Sequence, residues 1–388
     1  MSNQELAKAR TMLQVTGADY ALLSAGDNVT YVSHFEVPVE FGALATLSFI
    51  SPLALIGVRD SAAVLLTPAF YEAAAQQAAA GFESLSYEPV NWFTPVDGRQ
   101  NFLNLLRDSL KQAGLGQGSP TLTIEEKTLP AAALLLIMRE FPNVSIQTTA
   151  GDALSAARLI KTDRELQKLR FAAEVNKAGH TELLRQTREA GKNEFAMWSA
   201  VTQAMERTAG HPLMVFGELV TGTRCKMVNY PGGPKDVLTR PGDLALMDMS
   251  PRVDGYWSDT TNTMVIGGVE PTAKQKRYGV AAREAFHAAA DSLRPGRLAK
   301  EAYFAAESTF EKHGLRIGHY AGHQIGASVN EAPRLVPYDE TPIQAGMVFS
   351  IEPGAYEGPD GEVGARMEKS VIVHESGPEI ICDFEWGF

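Results

Sequence analysis

Residues 243–267, "DLALMDMSPRVDGYWSDTTNTMVIG", decide the fold, because two strand-like runs flank a turn that contains an Asp-Gly pair. This pattern predicts a β-hairpin. A four-residue turn at 252–255 would place Asp248 directly opposite Asp259. Opposed residues of an antiparallel pair have Cβ atoms about 4.5–5.5 Å apart, so two carboxylates there need a shared proton or a cation between them.

The hairpin alone is equally compatible with scattered, solvated acids, so other residues must decide. Glu352 ends "VFSIEPG", Glu368 lies in "GARMEKSV", and His323 lies in "AGHQIG". Taken singly, such residues are typically a solvated strand acid or a hydrogen-bonded core histidine. Four carboxylates and one imidazole together form an oxygen-rich set that suits Mn²⁺, Fe²⁺, Co²⁺ or Zn²⁺, with enough charge for two ions roughly 3.5–4 Å apart.

The order and spacing of these residues resemble the M24 metallopeptidases. That family includes Xaa-Pro dipeptidase (prolidase) and aminopeptidase P, with methionine aminopeptidase more distant and creatinase a non-metal relative. The likeness covers about residues 152–388, including the helix-like "ARLIKTDRELQKLRFAAEVNKAG". It implies a pita-bread catalytic domain, two divalent metal ions and commonly a homodimer. The implied metal ligands are Asp248, Asp259, His323, Glu352 and Glu368.

Two domains are expected, because 388 residues with 45% hydrophobic content can build two cores. Residues 1–150 alternate strand-like runs such as "SPLALIGV" with helix-like runs such as "AFYEAAAQQAAAG", which predicts an α/β domain. The resemblance implies a creatinase-type N-terminal domain there. The long helical period of residues 151–179 predicts a boundary just before it. Strand-like and amphipathic runs in residues 151–388 predict an α+β catalytic domain.

Charge and composition exclude several partners. A net charge of −11 argues against nucleic acid and anionic membranes, and no run approaches the roughly 20 apolar residues of a membrane span. Two cysteines, Cys225 and Cys382, are too few for a disulfide framework. The first residues, "MSNQELAKARTMLQ", lack the apolar core of a signal peptide. We therefore expect a soluble, cytoplasmic protein.

Three asparagines depart from the peptidase pattern. Asn330, in "HYAGHQIGASVNEAP", and Asn229, in "TGTRCKMVNYPGGP", occupy positions that are histidine in peptidase members, and Asn262 replaces an arginine in "SDTTNT". Asparagine forms hydrogen bonds but does not titrate near neutral pH. The departures therefore imply the loss of acid–base assistance worth about 10²–10⁴-fold.

The resemblance also implies roles for individual residues. Glu352 is the expected general base, with a metal-bound hydroxide as nucleophile. Arg366, two residues from Glu368 on one strand face, is expected to orient a ligand carboxylate. His319 matches a position near the substrate and could replace part of the role of Asn330, or could be a structural histidine bonded to the backbone. Asn229 is a further substrate-binding candidate.

These features predict a dinuclear-metal-dependent hydrolase of the Xaa-Pro dipeptidase or aminopeptidase type, acting on an amide-like C–N bond. Its specificity is expected to have moved from ordinary prolyl peptides to a small molecule or an atypical short peptide. The same fold also hosts creatine hydrolysis and dimethylsulfoniopropionate cleavage, so an amidinohydrolase and a lyase are alternatives. A non-catalytic binding module is the alternative from another class. Retention of five ligand positions favours an enzyme, since unpaired clustered acids repel one another.

Overall fold

The computed structural model describes residues 3–39, 46–228 and 232–388. Internal packing divides the chain into two compact units that meet between Leu159 and Ile160. This division falls after the predicted boundary at residues 150/151, because helix Ala150–Arg158 packs against helix Gln4–Val15 of the first unit. Within the described ranges, no helix has both the length and the apolar character that crossing a bilayer requires.

The first unit is a mixed six-stranded sheet covered by helices, as the α/β prediction required. Its strands lie in the order β4 (Glu83–Tyr87), β3 (Ala63–Pro68), β2 (Leu53–Gly57), β1 (Tyr20–Leu23), β5 (Thr121–Ile124) and β6 (Ser145–Gln147), with β1 antiparallel to β2 and parallel to β5. Buried apolar side chains of the strands and helices form one continuous core. The elements are α1 (Gln4–Val15), β1 (Tyr20–Leu23), α2 (Gly26–Ser33), β2 (Leu53–Gly57), β3 (Ala63–Pro68), a 3₁₀ turn (Ala69–Tyr71), α3 (Glu72–Ala78), β4 (Glu83–Tyr87), α4 (Gly98–Ala113), β5 (Thr121–Ile124), α5 (Ala131–Glu140), β6 (Ser145–Gln147) and α6 (Ala150–Arg158).

The second unit contains helices and largely antiparallel strands, which agrees with the α+β prediction. Its first elements are α7 (Asp163–Thr187), α8 (Glu194–Ala209), β7 (Met214–Thr221), a 3₁₀ turn (Gly222–Lys226), β8 (Leu244–Val253), β9 (Tyr256–Trp257) and β10 (Thr260–Val265). The remaining elements are α9 (Ala273–Ser292), α10 (Ala299–Lys312), β11 (Gly322–Gln324), β12 (Glu331–Arg334), β13 (Val348–Ile351), β14 (Gly354–Tyr356), β15 (Gly364–Arg366), β16 (Lys369–His374) and β17 (Gly377–Ile380). One sheet has the order β10-β8-β7, a second has the order β12-β11-β13-β16-β17, and β14 pairs with β15.

The helical period predicted over residues 151–179 is two helices rather than one. Helix α6 ends at Arg158, and α7 begins after Thr162, which is its N-cap. The Thr162 hydroxyl accepts from the backbone N–H of Glu165, and the Glu165 carboxylate accepts from the backbone N–H of Thr162. This capping box satisfies the backbone N–H groups of Thr162 and Glu165, which have no partner within the helix because α7 starts here. It therefore stabilises the interruption between α6 and α7.

The hairpin is present, but its predicted register is wrong by two residues. The turn contains only Asp254 and Gly255, whose φ angles of 49° and 84° suit the two-residue turn that connects twisted strands. Asp248 is consequently paired with Thr261 and not with Asp259. A shift of two residues keeps every side chain on its original face, so the two aspartates still lie on one side of the sheet.

Candidate metal centre

The five predicted metal ligands lie on or next to strands of two sheets. Asp248 lies within β8, His323 within β11, and the other three adjoin strand ends. The backbone carbonyl of Asp259 accepts from the hydroxyls of Ser350 (3.1 Å) and Ser370 (3.3 Å), which lie on the second sheet. These bonds join the hairpin to the sheet that carries His323, and so they bring the ligand candidates together.

The distances show a compact cluster. His323 Nε2 lies 3.5 Å from Asp259 Oδ2 and 3.3 Å from Glu352 Oε1. Asp259, His323 and Glu368 each offer an atom within 4.8 Å of the others. Asp248 adjoins this group, because Asp259 and Glu352 lie close enough for their negative charges to raise its pKa. The structure therefore brings all five residues to one site.

The ionisation of these groups reflects burial and like charge. Burial and then the neighbouring Asp259 raise the pKa of both Asp248 and Glu368 well above their usual values. Although burial lowers it, hydrogen bonds to Asp259 and Glu352 raise the pKa of His323 to about 10. For Glu352 burial is the largest single influence and acts upward, but the hydrogen bond and charge of His323, with the charges of His319 and Arg366, together outweigh it and lower the pKa to about 2. The negative charges of the cluster thus stabilise any positive charge placed between them, such as a protonated His323 or a metal cation.

Two carboxylate oxygens test whether the site fits a cation. Asp248 Oδ1 and Glu368 Oε1 are both buried and have no hydrogen-bond partner among the described residues. A buried acceptor without a partner costs free energy, and the cost rises when other acids surround it. Divalent cations prefer such oxygen ligands with an imidazole nitrogen. The residues present therefore fit divalent metal ions.

Arg366 is fully buried and lies beside the cluster, where it donates to Asp248 Oδ2 (2.8 Å) and to Glu218 Oε1 (2.7 Å). Its Nε also donates to the Thr261 hydroxyl (3.0 Å), which in turn donates to Glu368 Oε2 (2.6 Å). The guanidinium thus contacts Asp248 directly and Glu368 through the hydroxyl of Thr261. Glu218, on β7 directly across from Asp248, was missed from the sequence because its strand partner depends on the register.

His319 is joined to Arg366 through Tyr356. The Nδ1 of His319 lies 2.8 Å from the backbone carbonyl of Tyr320, so this nitrogen carries the proton. The Tyr356 hydroxyl accepts from Arg366 (3.0 Å) and donates to His319 Nε2 (3.1 Å). Burial lowers the pKa of His319, which keeps the imidazole neutral. No pattern in the sequence predicts a role for Tyr356, apart from its position four residues after Glu352.

Asn330 lies at a recess beside the cluster and not within it. Its side-chain oxygen accepts from Arg334 Nε (3.0 Å), and its nitrogen lies 3.4 Å from the Tyr320 hydroxyl. The recess has a volume of about 650 Å³, and His319, Tyr320, Asn330 and Arg334 are among its lining residues. Within the described part of the chain, the Arg334 guanidinium forms no ion pair. Arg334 was also missed from the sequence, although it follows Asn330 by four residues.

The loop between His323 and Asn330 is held by the buried Lys161. Its Nζ donates to Gln324 Oε1 and to Glu331 Oε2, both at 3.0 Å. These acceptors are the residues next to His323 and Asn330. Lys161 therefore fixes the path of the chain between the metal cluster and the recess.

The other two asparagine departures lie elsewhere. Asn229 falls outside the described residues, so its predicted substrate contact stays a prediction. Asn262 is buried and bonds the backbone of Glu385 and Gly387, on the face of β10 opposite to Thr261. It makes no contact with the recess.

Two protein-family models together match most of the chain. The model of "Metallopeptidase family M24" matches residues 167–375, and that of "Creatinase/Prolidase N-terminal domain" matches residues 5–160. The chain belongs to metallopeptidase family M24. It is accordingly a metallohydrolase with a pita-bread catalytic domain, as the resemblance predicted.

Individual M24 relatives extend over nearly the whole chain. The Xaa-Pro dipeptidase of Pyrococcus horikoshii is 28% identical over 388 residues, covering 99% of this chain and 98% of the relative. An X-Pro aminopeptidase structure from Thermotoga maritima has a TM-score of 0.80 at 22% identity, covering 98% of both chains. The prolidase structure from Pyrococcus horikoshii has a TM-score of 0.79 at 24% identity, covering 99% of both chains. These structural likenesses establish the fold.

Proposed function

We propose that this M24 member is a two-metal hydrolase of short peptides or peptide-like small molecules that carry a free carboxylate. The observation that carries the proposal is the convergence of four acids and His323, with buried oxygens left unpaired on Asp248 and Glu368. Asp248, Asp259, His323, Glu352 and Glu368 would hold the ions, drawn from Mn, Co, Zn or Fe. Bound divalent ions would polarise a carbonyl and make water nucleophilic near neutral pH.

The side chains around this cluster supply acid–base chemistry and order. Glu352 is the proposed general base, because its carboxylate lies at the cluster, with Oε1 3.3 Å from His323 Nε2, where it could accept a proton from a water held by the ions. Arg366 holds Asp248 in place, and Tyr356 holds the neutral His319 towards the recess. Because Nδ1 of His319 donates to the Tyr320 carbonyl and Nε2 accepts from Tyr356, both ring nitrogens are engaged, and His319 is proposed to contact the substrate as a neutral wall of the recess.

Arg334 supports the carboxylate part of the proposal. It is paired directly opposite His323 across β11 and β12, and it lines the recess with Asn330. A guanidinium without an ion pair in the described ranges suits bidentate recognition of a carboxylate. A dipeptide bound there would direct its scissile amide towards the cluster.

Asn330 supports an atypical specificity. Asparagine can orient a carbonyl but cannot pass a proton to a departing amine, and a proline nitrogen is a poor leaving group. We infer that Xaa-Pro dipeptides are turned over at least about tenfold more slowly than the preferred substrate. A small molecule, as in the amidinohydrolase and lyase alternatives, would need less help from this position.

The experiment is steady-state kinetics with protein loaded with Mn²⁺, on Ala-Pro, Gly-Pro, non-prolyl dipeptides and a metabolite library. Turnover of a non-prolyl compound above that of Ala-Pro is expected. Substrates with an amidated C-terminus should lose activity, and Arg334→Met should raise KM for free-acid substrates only. Fastest turnover on Ala-Pro or Gly-Pro would contradict the altered specificity, and protein without turnover on any compound would favour the binding module.

A homodimer in the cytoplasm is also part of the proposal. The side chains of Trp92 and Phe93 are 69% and 93% exposed, and self-association would cover such apolar surface. Both cysteines are buried free thiols, which suits a reducing compartment. Light scattering at several concentrations measures the assembly, and a monomer throughout would contradict it.

A further inference from the structure

Strand β10 separates the metal cluster from the last six residues, 383–388, which we call the backing segment. The Thr261 hydroxyl donates to Glu368 Oε2 (2.6 Å), and the Thr263 hydroxyl donates to the Arg366 carbonyl (2.9 Å). These side chains face the cluster. Side chains alternate along a strand, so Asn262 points to the opposite face, where the backing segment lies.

Asn262 anchors the backing segment with both ends of its amide. Its nitrogen donates to the carbonyl of Glu385 (2.9 Å), and its oxygen accepts from the N–H of Gly387 (3.1 Å). A Cβ atom at Gly387 would lie 2.1 Å from the Thr263 carbonyl oxygen, so only glycine permits this approach to β10. The asparagine that departs from the family pattern therefore holds the segment against the strand that follows Asp259.

Lys369 forms the second anchor, next to Glu368. Its buried ammonium donates to Asp383 Oδ1 (2.8 Å) and to the Phe384 carbonyl (2.6 Å). The same ammonium lies 4.0 Å from the centre of the Trp386 ring and 4.7 Å from that of Phe384. Burying a lysine is costly unless its charge is compensated, so these contacts define where Lys369, and hence Glu368, can lie.

The aromatic residues fix the backing segment in turn. The Phe384 ring stacks on His180 with centroids 3.9 Å apart, and Trp386 packs edge-on against Phe286 at 5.3 Å. His180 Nε2 lies 2.8 Å from the Thr260 hydroxyl, which belongs to β10. The segment therefore contacts β10 by direct bonds and through His180.

We propose that the backing segment is a positioning element for the metal centre, fixing the spacing between Asp259 and Glu368 from behind through Asn262 and Lys369. Its residues touch neither the ligand carboxylates nor the recess, so they are positioning residues. The inference rests on the proposed metal site. Contacts that orient ligands from outside are typically worth about 10–100-fold in metal affinity.

The test uses full-length protein stripped of metal and titrated with Co²⁺, followed by calorimetry and by the visible absorption spectrum. Trp386→Ala removes the ring over Lys369, and Trp386→Phe retains an aromatic face. Phe195→Ala is the matched control, since Phe195 is a 49% exposed aromatic residue of the same unit. Thermal unfolding without metal reports the fold separately.

Trp386→Ala is expected to weaken Co²⁺ binding about 10–100-fold and to alter the spectrum. Trp386→Phe should restore both to within about threefold of the parent, because an aromatic face over the ammonium remains. Phe195→Ala should match the parent. A folded Trp386→Ala protein with the affinity and spectrum of the parent would overturn the inference.

If Trp386→Ala does not fold, Asn262→Ala provides the same measurement, and unchanged Co²⁺ affinity in that variant would equally overturn the inference. A parent protein that takes up no Co²⁺ would refute the metal centre itself. That result differs from a parent that binds Co²⁺ while its variants bind equally well, which would refute only the positioning role.

Discussion

Glu125 in the first unit is buried, as are Asp259, Glu352 and Glu368 of the metal centre, where Asp248 is half-buried, yet the surroundings of these acids differ. Glu125 follows β5, and its carboxylate accepts from the backbone N–H groups of Ser24 and Ala25 and from the side-chain amide of Asn28. These donors lie at the start of α2, where a negative charge is also favoured by the helix dipole. Both oxygens of Glu125 are therefore satisfied by the protein.

Asp248 and Glu368 keep one buried oxygen each without a partner in the ranges described. Burial raises the pKa of these two acids, as it does for Glu125. The pKa direction alone thus fails to separate a structural acid from a metal ligand. The hydrogen bonds received by each acid separate them, because an unpaired buried oxygen among like charges is costly unless a proton or a cation accompanies it.

The largest effect should come from removing a ligand. Asp259→Ala and Glu368→Ala are each expected to lower metal content below that of the parent and to reduce kcat/KM by about 10³-fold or more, beyond the 10–100-fold typical of residues outside the ligand shell. Elemental analysis and steady-state kinetics measure the two quantities. A variant that holds as much metal as the parent would show that the substituted residue is not a ligand.

Arg366→Met should have a smaller effect, because Arg366 contacts Asp248 without being a ligand. We expect kcat/KM to fall about 10–100-fold while most of the metal is retained. Arg297→Met is the matched control, since Arg297 forms only a surface pair with Glu301. Equal activity of both variants would place Arg366 outside the working site.

Asn330→His tests the recess beside the metal centre. If the amide bonds the preferred substrate, imidazole would place its donor differently, and kcat/KM should fall roughly 3–30-fold. The same variant is assayed on Ala-Pro, where a rise is expected if histidine restores acid–base assistance. An unchanged value on the preferred substrate would make Asn330 a bystander.

Glu125→Gln should have the smallest effect on activity. Glu125 belongs to the first unit and shares none of its hydrogen-bond partners with the metal cluster, so metal content and kcat/KM should stay within about twofold of the parent. The amide nitrogen would face backbone donors, so the free energy of unfolding should fall by about 1–3 kcal/mol. Urea unfolding followed by circular dichroism measures this loss. A loss of metal in this variant would break the contrast between the two kinds of buried acid.

The sequence predicted the two-part architecture, and the family resemblance pointed to five residues that the structure brings together; their role as metal ligands stays a prediction. The sequence did not predict the register of the hairpin, since the length of its turn depends on the positive φ of Asp254. It also missed Glu218, Tyr356 and Arg334. Each lies on a strand, and its role depends on contacts with residues that only the folded chain brings near.

The sequence by itself determined the family, the class of chemistry and the departures at Asn262 and Asn330, because residue identity and spacing are properties of the chain. Tertiary structure decided what those departures contact. Asn262 faces the backing segment, and Asn330 lies at a recess with Arg334. The physical reason is that strand pairing between distant segments selects the face on which each side chain lies, and the local sequence does not specify that pairing.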